Sequence, residues 1–289
     1  MKKKYNSLLI VRKSSSEIDW IIPVIERMKS NVNFYTFFLN EKAFESLRSS
    51  KFLYEKWKKL SKSHYIQKRT DKIFYKILKI FLNKFSTTLN NNIHNVDYLK
   101  SKLNFDKSKK LHFILNEFQK TSYWVDVLKK EDKKTKLFLY PHTTHIYKYD
   151  KAILNKIKKK NKKKICDAIF LGSPLDKDIW ANRIDDNKIH ITGHPKYDKI
   201  WQSQFSKKER EKKNNLVFAV KNITDTSSYK ITKKYLEVLY KICSKNKYFL
   251  TVKIPPYPQE KLNKIIYDFK KEKKSKKFEI SNENIFSCL

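Results

Sequence analysis

Short apolar runs recur along this chain, each followed by a longer stretch with apolar residues at helical spacing. That alternation confines the chain to an α/β layered fold. "NSLLIV" reads as a first strand, "RKSSSEID" as a polar turn and "WIIPVIERMKS" as an amphipathic helix leading to the strand "VNFYTFFL". Residues 41–86 read as helical, lysine-rich and aromatic-rich segments, including "FYKILKIFLNKF", whose broad apolar face suits either a core or a membrane surface. "KKLHFILNEF" and "KTKLFLYPHTTH" read as strands around the helix "KTSYWVDVLKKED", and "CDAIFLGSP" and "KIHITGHP" as strands running into turns. The lysine run 156–164 reads as a solvated helix end. Residues 203–215, "SQFSKKEREKKNN", carry no strand signal and read as a linker. Beyond them the alternation restarts with "LVFAV", "YFLTVKI" and "KFEIS" as strands. The expected organisation is therefore a Rossmann-like domain over 1–205 and a smaller one over 206–289. With three strands, the second reads as incomplete and leaves a sheet edge open.

The formal net charge of +37 invites a nucleic-acid reading, but only six of the 66 basic residues are Arg. Base and phosphate readers favour the planar guanidinium fork, which this chain lacks. Scarce Gly and Arg beside abundant Lys, Asn, Ile, Tyr and Phe are the signature of A+T-rich codons. Specific nucleic-acid binding is not expected; attraction to anionic membrane surfaces or phosphorylated substrates at low salt is. Cys166, Cys243 and Cys288 are too widely spaced for a disulfide framework or metal knuckle. The apolar run Leu8–Val11 is too short for a signal-peptide core. A cytoplasmic chain, at most peripheral to the membrane, is the expectation.

The chain has only two glycines, Gly172 in "IFLGSP" and Gly193 in "HITGHP", and both fall where strands end. Ligands of open α/β sheets bind outside the carboxyl ends of strands. Turns there need glycine for a positive φ or a close approach of the backbone. Ser173 follows the first glycine; His194, Pro195, Lys196 and Asp198 follow the second. His194 and Lys196 are suited to a phosphate, and Asp198 to capping the next helix. "RKSSSE" has none of the glycines of nucleotide fingerprints and reads as a turn whose serines cap the following helix. No cluster has metal-ligand spacing, and no nucleophile motif of the Gly-x-Ser-x-Gly type occurs.

"CDAIFLGSPLDKDIW" followed by "IHITGHPKYDKIW" resembles the junction region of GT-B-type transferases. Within that superfamily it is most similar to bacterial surface-polysaccharide transferases of the CDP-glycerol glycerophosphotransferase kind. UDP-N-acetylglucosamine 2-epimerases share a similar segment on the same scaffold. The likeness covers residues 137–256 and implies a GT-B-like α/β fold of two Rossmann-like domains. It also implies transfer of a sugar or glycerophosphate from a nucleotide-activated donor to a hydroxyl of a polysaccharide or lipid-linked acceptor, with neither metal nor cofactor.

On that resemblance His142, with His145 second, stands in the slot of a general base, a role suited to a group that titrates near neutrality. A hydrogen-bonded structural histidine is the alternative at both positions. Gly172, Ser173, Gly193, His194, Lys196, Lys221 in "FAVKN" and Lys253 in "LTVKIPPYP" would hold donor phosphates. Relatives commonly read "K-x-H-P" at this last segment, and here Pro255 stands where they have histidine. That departure, with the short second domain, leaves a non-catalytic binding module as an alternative. A nucleotide-sugar 2-epimerase is the other alternative; it would need an acidic residue placed to abstract a proton, and none is identifiable from the sequence.

Overall fold

A computed structural model describes residues 4–68, 91–106, 108–117, 123–141, 166–181, 184–204, 214–220, 226–254 and 260–281. The chain separates into two compact units, Met1–Phe44 with Lys56–Asp198, and Glu45–Glu55 with Lys199–Leu289.

The first unit is built on a seven-stranded sheet in the order β3-β2-β1-β4-β5-β6-β7. Its strands are β1 (Tyr5–Val11), β2 (Val32–Phe38), β3 (Ser61–Ile66), β4 (Phe113–Asn116), β5 (Lys136–Leu139), β6 (Ala168–Leu171) and β7 (Ile189–Ile191). Every pairing is parallel. β1 sits between β2 and β4, and all its residues after Tyr5 are buried. Burial on both faces is why it reads as a continuous apolar run and not as an alternation. Helix α1 (Ser16–Met28) follows it and buries Ile18, Trp20, Ile21, Ile22 and Ile25. The strand order reverses between β1 and β4, so the carboxyl ends of these two strands open the crevice where such sheets take ligands.

β3 corrects the sequence reading. Residues 41–86 were expected to be helical, and α2 (Glu41–Arg48) and α3 (Lys51–Leu60) are. "SKSHYI", however, pairs with β2 at the sheet edge and sends Tyr65 inward to stack on Phe37 with ring centroids 5.3 Å apart. Its period-two pattern is short and half polar, as an edge strand allows, and long-range pairing overrides the helical neighbourhood. The segment "FYKILKIFLNKF", the lysine run 156–164, most of the linker and the residues after Ser281 lie outside the described residues.

The second unit contains β8 (Asn215–Ala219), β9 (Phe249–Lys253) and β10 (Phe278–Ser281), parallel and ordered β10-β9-β8. The Thr226–Lys245 and Glu260–Lys273 helices connect them. Its core joins Leu236, Leu250, Val252, Leu262, Ile266, Phe269 and Phe278.

Candidate functional site

The loop from β1 into α1 is tied by Glu17. This buried side chain accepts the backbone N–H of Arg12 on Oε2 and of Lys13 on Oε1, each at 2.8 Å. Burial raises the Glu17 carboxyl above the usual carboxylate range, and the negative field of Glu117 adds to the rise. The two loop N–H bonds act the other way. These bonds tie the loop and do not cap the helix. Ser15, the residue before α1, makes no side-chain capping bond, while the Ser14 and Ser16 hydroxyls lie 2.6 Å apart.

Across the crevice β4 ends in Asn116, whose strand partners are Ile10 of β1 and Leu139 of β5. Asn116 is 2% exposed, and neither its side-chain nitrogen nor its oxygen has a hydrogen-bond partner among the described residues. An enclosed amide left this way costs stability unless a ligand completes it. Buried Glu117 follows at once. The sequence reading missed this pair; its signal was a polar Asn-Glu step closing the apolar run "FIL".

The two glycines act together at the ends of β6 and β7, for different reasons. Gly193 has a φ of +77°, a left-handed conformation that only glycine adopts cheaply. A side chain there would meet no atom within 4 Å, so backbone torsion alone selects the residue. At Gly172 the neighbour decides: a Cβ would fall inside the imidazole of His194. The turn at Gly193 sends that ring back over the end of β6, where it packs edge-on against Trp20 of α1 at 4.3 Å between centroids.

A 3₁₀ turn, Pro195–Tyr197, carries on from His194. It places the Lys196 ammonium over the rings of Trp20, at 5.3 Å, and Tyr197, at 5.1 Å. Burial lowers the His194 pKa. The field of Lys196 acts in the same direction, and the buried Asp176 opposes it. Burial thus favours the uncharged imidazole, and the positive charge beside it is that of Lys196.

Ser173, extended at the start of the Pro174–Trp180 helix, donates its hydroxyl to Asp176 Oδ2 at 3.1 Å. Asp19, one residue before Trp20, is held up at about 6 by burial against the opposing pull of Lys196. Its Oδ1 has no partner among the described residues. Asp198, expected as a helix cap, pairs with Arg27 Nη2 at 2.9 Å.

Of the sequence-predicted residues, the first unit brings together Gly172, Ser173, Gly193, His194 and Lys196. Lys253 belongs to the second unit, at the carboxyl end of β9, where its ammonium donates to the Ile254 carbonyl at 2.7 Å. His142, His145, Lys221 and Pro255 lie outside the described residues. Among the described residues no group of three His, Cys, Asp or Glu side chains is placed to hold a metal, and no helix is long and apolar enough to cross a membrane. Cys166 and Cys243 are buried, and burial pushes the Cys166 thiol up to about 11.

Solved structures share this scaffold. The Listeria monocytogenes protein assigned as UDP-N-acetylglucosamine 2-epimerase superposes with a TM-score of 0.56 at 8% identity, over 96% of this chain and 68% of its own. The Rickettsia bellii UDP-N-acetylglucosamine 2-epimerase gives 0.54 at 11%, over the same 96% and 68%. The Methanocaldococcus jannaschii enzyme, solved with UDP-GlcNAc and UDP, gives 0.52 at 13%, over 97% and 75%. No family model matches the chain, and no curated protein matches it in sequence. At these identities the likeness establishes the fold, which is α/β and GT-B-like.

Proposed function

We propose that this chain is a nucleotide-sugar enzyme of the GT-B type, which takes a nucleotide-activated sugar or glycerol donor and transfers the group to a hydroxyl of a surface polysaccharide or lipid-linked acceptor. The observation that carries the reading is the turn at Gly193. It folds His194 and Lys196 onto the first turns of α1, beside the crevice where the strand order reverses. There Lys196 supplies positive charge to donor phosphates and neutral His194 a hydrogen bond. Lys221 and Lys253 are assigned to donor phosphates, and His142, with His145 as second choice, to proton removal from the acceptor hydroxyl. The complex of the Methanocaldococcus jannaschii protein with UDP-GlcNAc and UDP supports a nucleotide-sugar donor.

One observation favours a second reading, a nucleotide-sugar 2-epimerase. The acidic residue that such chemistry requires has a structural candidate in Glu117, buried where β4 ends and close enough for its charge to act on Glu17. Incubating the full chain with UDP-GlcNAc or CDP-glycerol, with and without an acceptor glycan, separates the two. Transfer that requires acceptor and falls with Lys196→Ala supports the first. Conversion of UDP-GlcNAc without acceptor that falls with Glu117→Gln supports the second. Neither thermal protection nor turnover with either donor would overturn both.

A further inference from the structure

The Thr226–Lys245 helix has two apolar faces, and only one is spent on the core. Thr232, Leu236 and Cys243 are buried, with Leu239 and Tyr240 half-buried beside them. A second set, Ile231, Tyr235, Val238 and Ile242, stands 51, 56, 48 and 42% exposed. Its spacing of four, three and four residues draws one straight stripe along about three turns. Lys230, Lys234, Lys241 and Lys245, all exposed, form a parallel row along the outer flank of that stripe. Glu237 is the single acidic residue in the helix.

We propose that this face docks the protein on an anionic bilayer, with the stripe entering the headgroup boundary and the lysine row lying on lipid phosphates. A helix with an apolar strip bordered by lysines is what an interfacial helix needs. Lysine stems cover apolar surface while their ammonium groups stay at the polar level. The charge is matched to a negative plane, and the chain's net charge of +37 delivers the molecule to it. A second copy is the poorer occupant: two such stripes packed antiparallel set like flank against like flank, lysine row against lysine row. The proposal is independent of the donor chemistry above.

The test is co-sedimentation of the full chain with vesicles at physiological salt, comparing phosphatidylcholine alone with phosphatidylcholine containing about one third phosphatidylglycerol. The parent chain is expected on the anionic vesicles only. Ile231→Gln with Val238→Gln, which leaves the charge unchanged, is expected to weaken binding about tenfold, and Lys234→Glu with Lys241→Glu at least as much. The same charge change on the Glu260–Lys273 helix, Lys264→Glu with Lys271→Glu, is expected to cost less than about twofold. Bromine-labelled lipid quenching of Tyr235→Trp in the parent background reads insertion without disturbing the stripe. Equal binding to neutral vesicles, stripe variants that bind like the parent, or no quenching would overturn the proposal. So would control variants as weak as the row variants, or stripe-dependent self-association or capture of an acidic protein without vesicle binding.

Discussion

Helix α1 of the first unit and the Thr226–Lys245 helix of the second each follow the opening strand of a parallel sheet, yet they spend their apolar residues in opposite ways. α1 turns Ile18, Trp20, Ile21, Ile22 and Ile25 inward and takes two carboxyl groups with them, Glu17 bonded to the preceding loop and Asp19 beside Lys196. The Thr226–Lys245 helix keeps a narrow buried face and leaves Ile231, Tyr235, Val238 and Ile242 toward solvent. The first arrangement stores desolvated polar groups. The second offers apolar area and positive charge on one surface, which suits a broad partner. A βα unit thus sets neither role by itself; the distribution of apolar residues around its helix does.

The sharpest break of that comparison is truncation at the two kinds of isoleucine. Ile22→Ala, at a fully buried site, is expected to destabilise the first unit by about 4 kcal/mol. Ile231→Ala should change the second unit by less than about 0.5 kcal/mol. Urea unfolding followed by tryptophan emission in a Trp201→Phe background reads the first, because the other four tryptophans, Trp20, Trp57, Trp124 and Trp180, belong to that unit. Far-UV circular dichroism reads the second. Similar losses at both sites would mean that the exposed stripe is part of the folded core.

Next in size is Gly172→Ala, which puts a methyl group into the His194 ring. Overpacking of that kind costs about 3 kcal/mol. In a His194→Ala background the same change should cost about 1 kcal/mol or less, because the ring that opposes the methyl is gone. A double-mutant cycle by urea unfolding measures the coupling. Simple additivity would show that the ring does not set the glycine requirement.

Asp19→Asn tests the enclosed polar groups of α1 through pH. With its pKa raised from 3.8 to about 6, Asp19 holds its proton more tightly in the folded state than in the unfolded chain. Its contribution is therefore favourable at low pH and is lost as pH rises from about 4 to about 6. Asn carries no charge, so the variant should gain about 3 kcal/mol over the parent well above pH 6 and nothing below pH 4. Thermal unfolding at pH 4 and pH 8 distinguishes this from a gain at all pH values, which would mean improved packing only.

The alternation of elements was legible because parallel strands buried on both faces print as apolar runs, and the order β1, α1, β2 follows directly from residues 5–38. The glycines were legible as positions because a chain with only two of them keeps each at the end of a strand. Their reasons were only partly so. A positive φ at Gly193 is a local property, whereas Gly172 is selected by a ring 22 positions away in sequence, and nothing near Gly172 announces it. Asn116, Glu117 and Asp19 were missed for the same cause. Each is an ordinary polar residue beside an apolar run, and only the folded chain shows that its polar atoms are buried. "SKSHYI" failed differently, its alternation being too short and too polar to outweigh the helices before it.

The smallest effect, and the one that separates the two glycines, is at Gly193. Gly193→Ala forces a β-carbon onto a left-handed backbone, at a cost of about 1 to 2 kcal/mol. Gly193→Asn should lose less, since Asn tolerates that conformation better than Ala. Here His194→Ala should bring no rescue, because the space around the missing Cβ is already open. The functional loss should nonetheless exceed the stability loss. Relaxing φ at 193 swings the His194 ring off Trp20 and carries Lys196 with it, so donor binding by calorimetry should weaken more in Gly193→Ala than in Arg27→Ala, which removes only an exposed ion pair. Equal donor affinity in both variants would detach the Gly193 turn from the site and leave it as a connector between β7 and the Lys199–Gln202 helix.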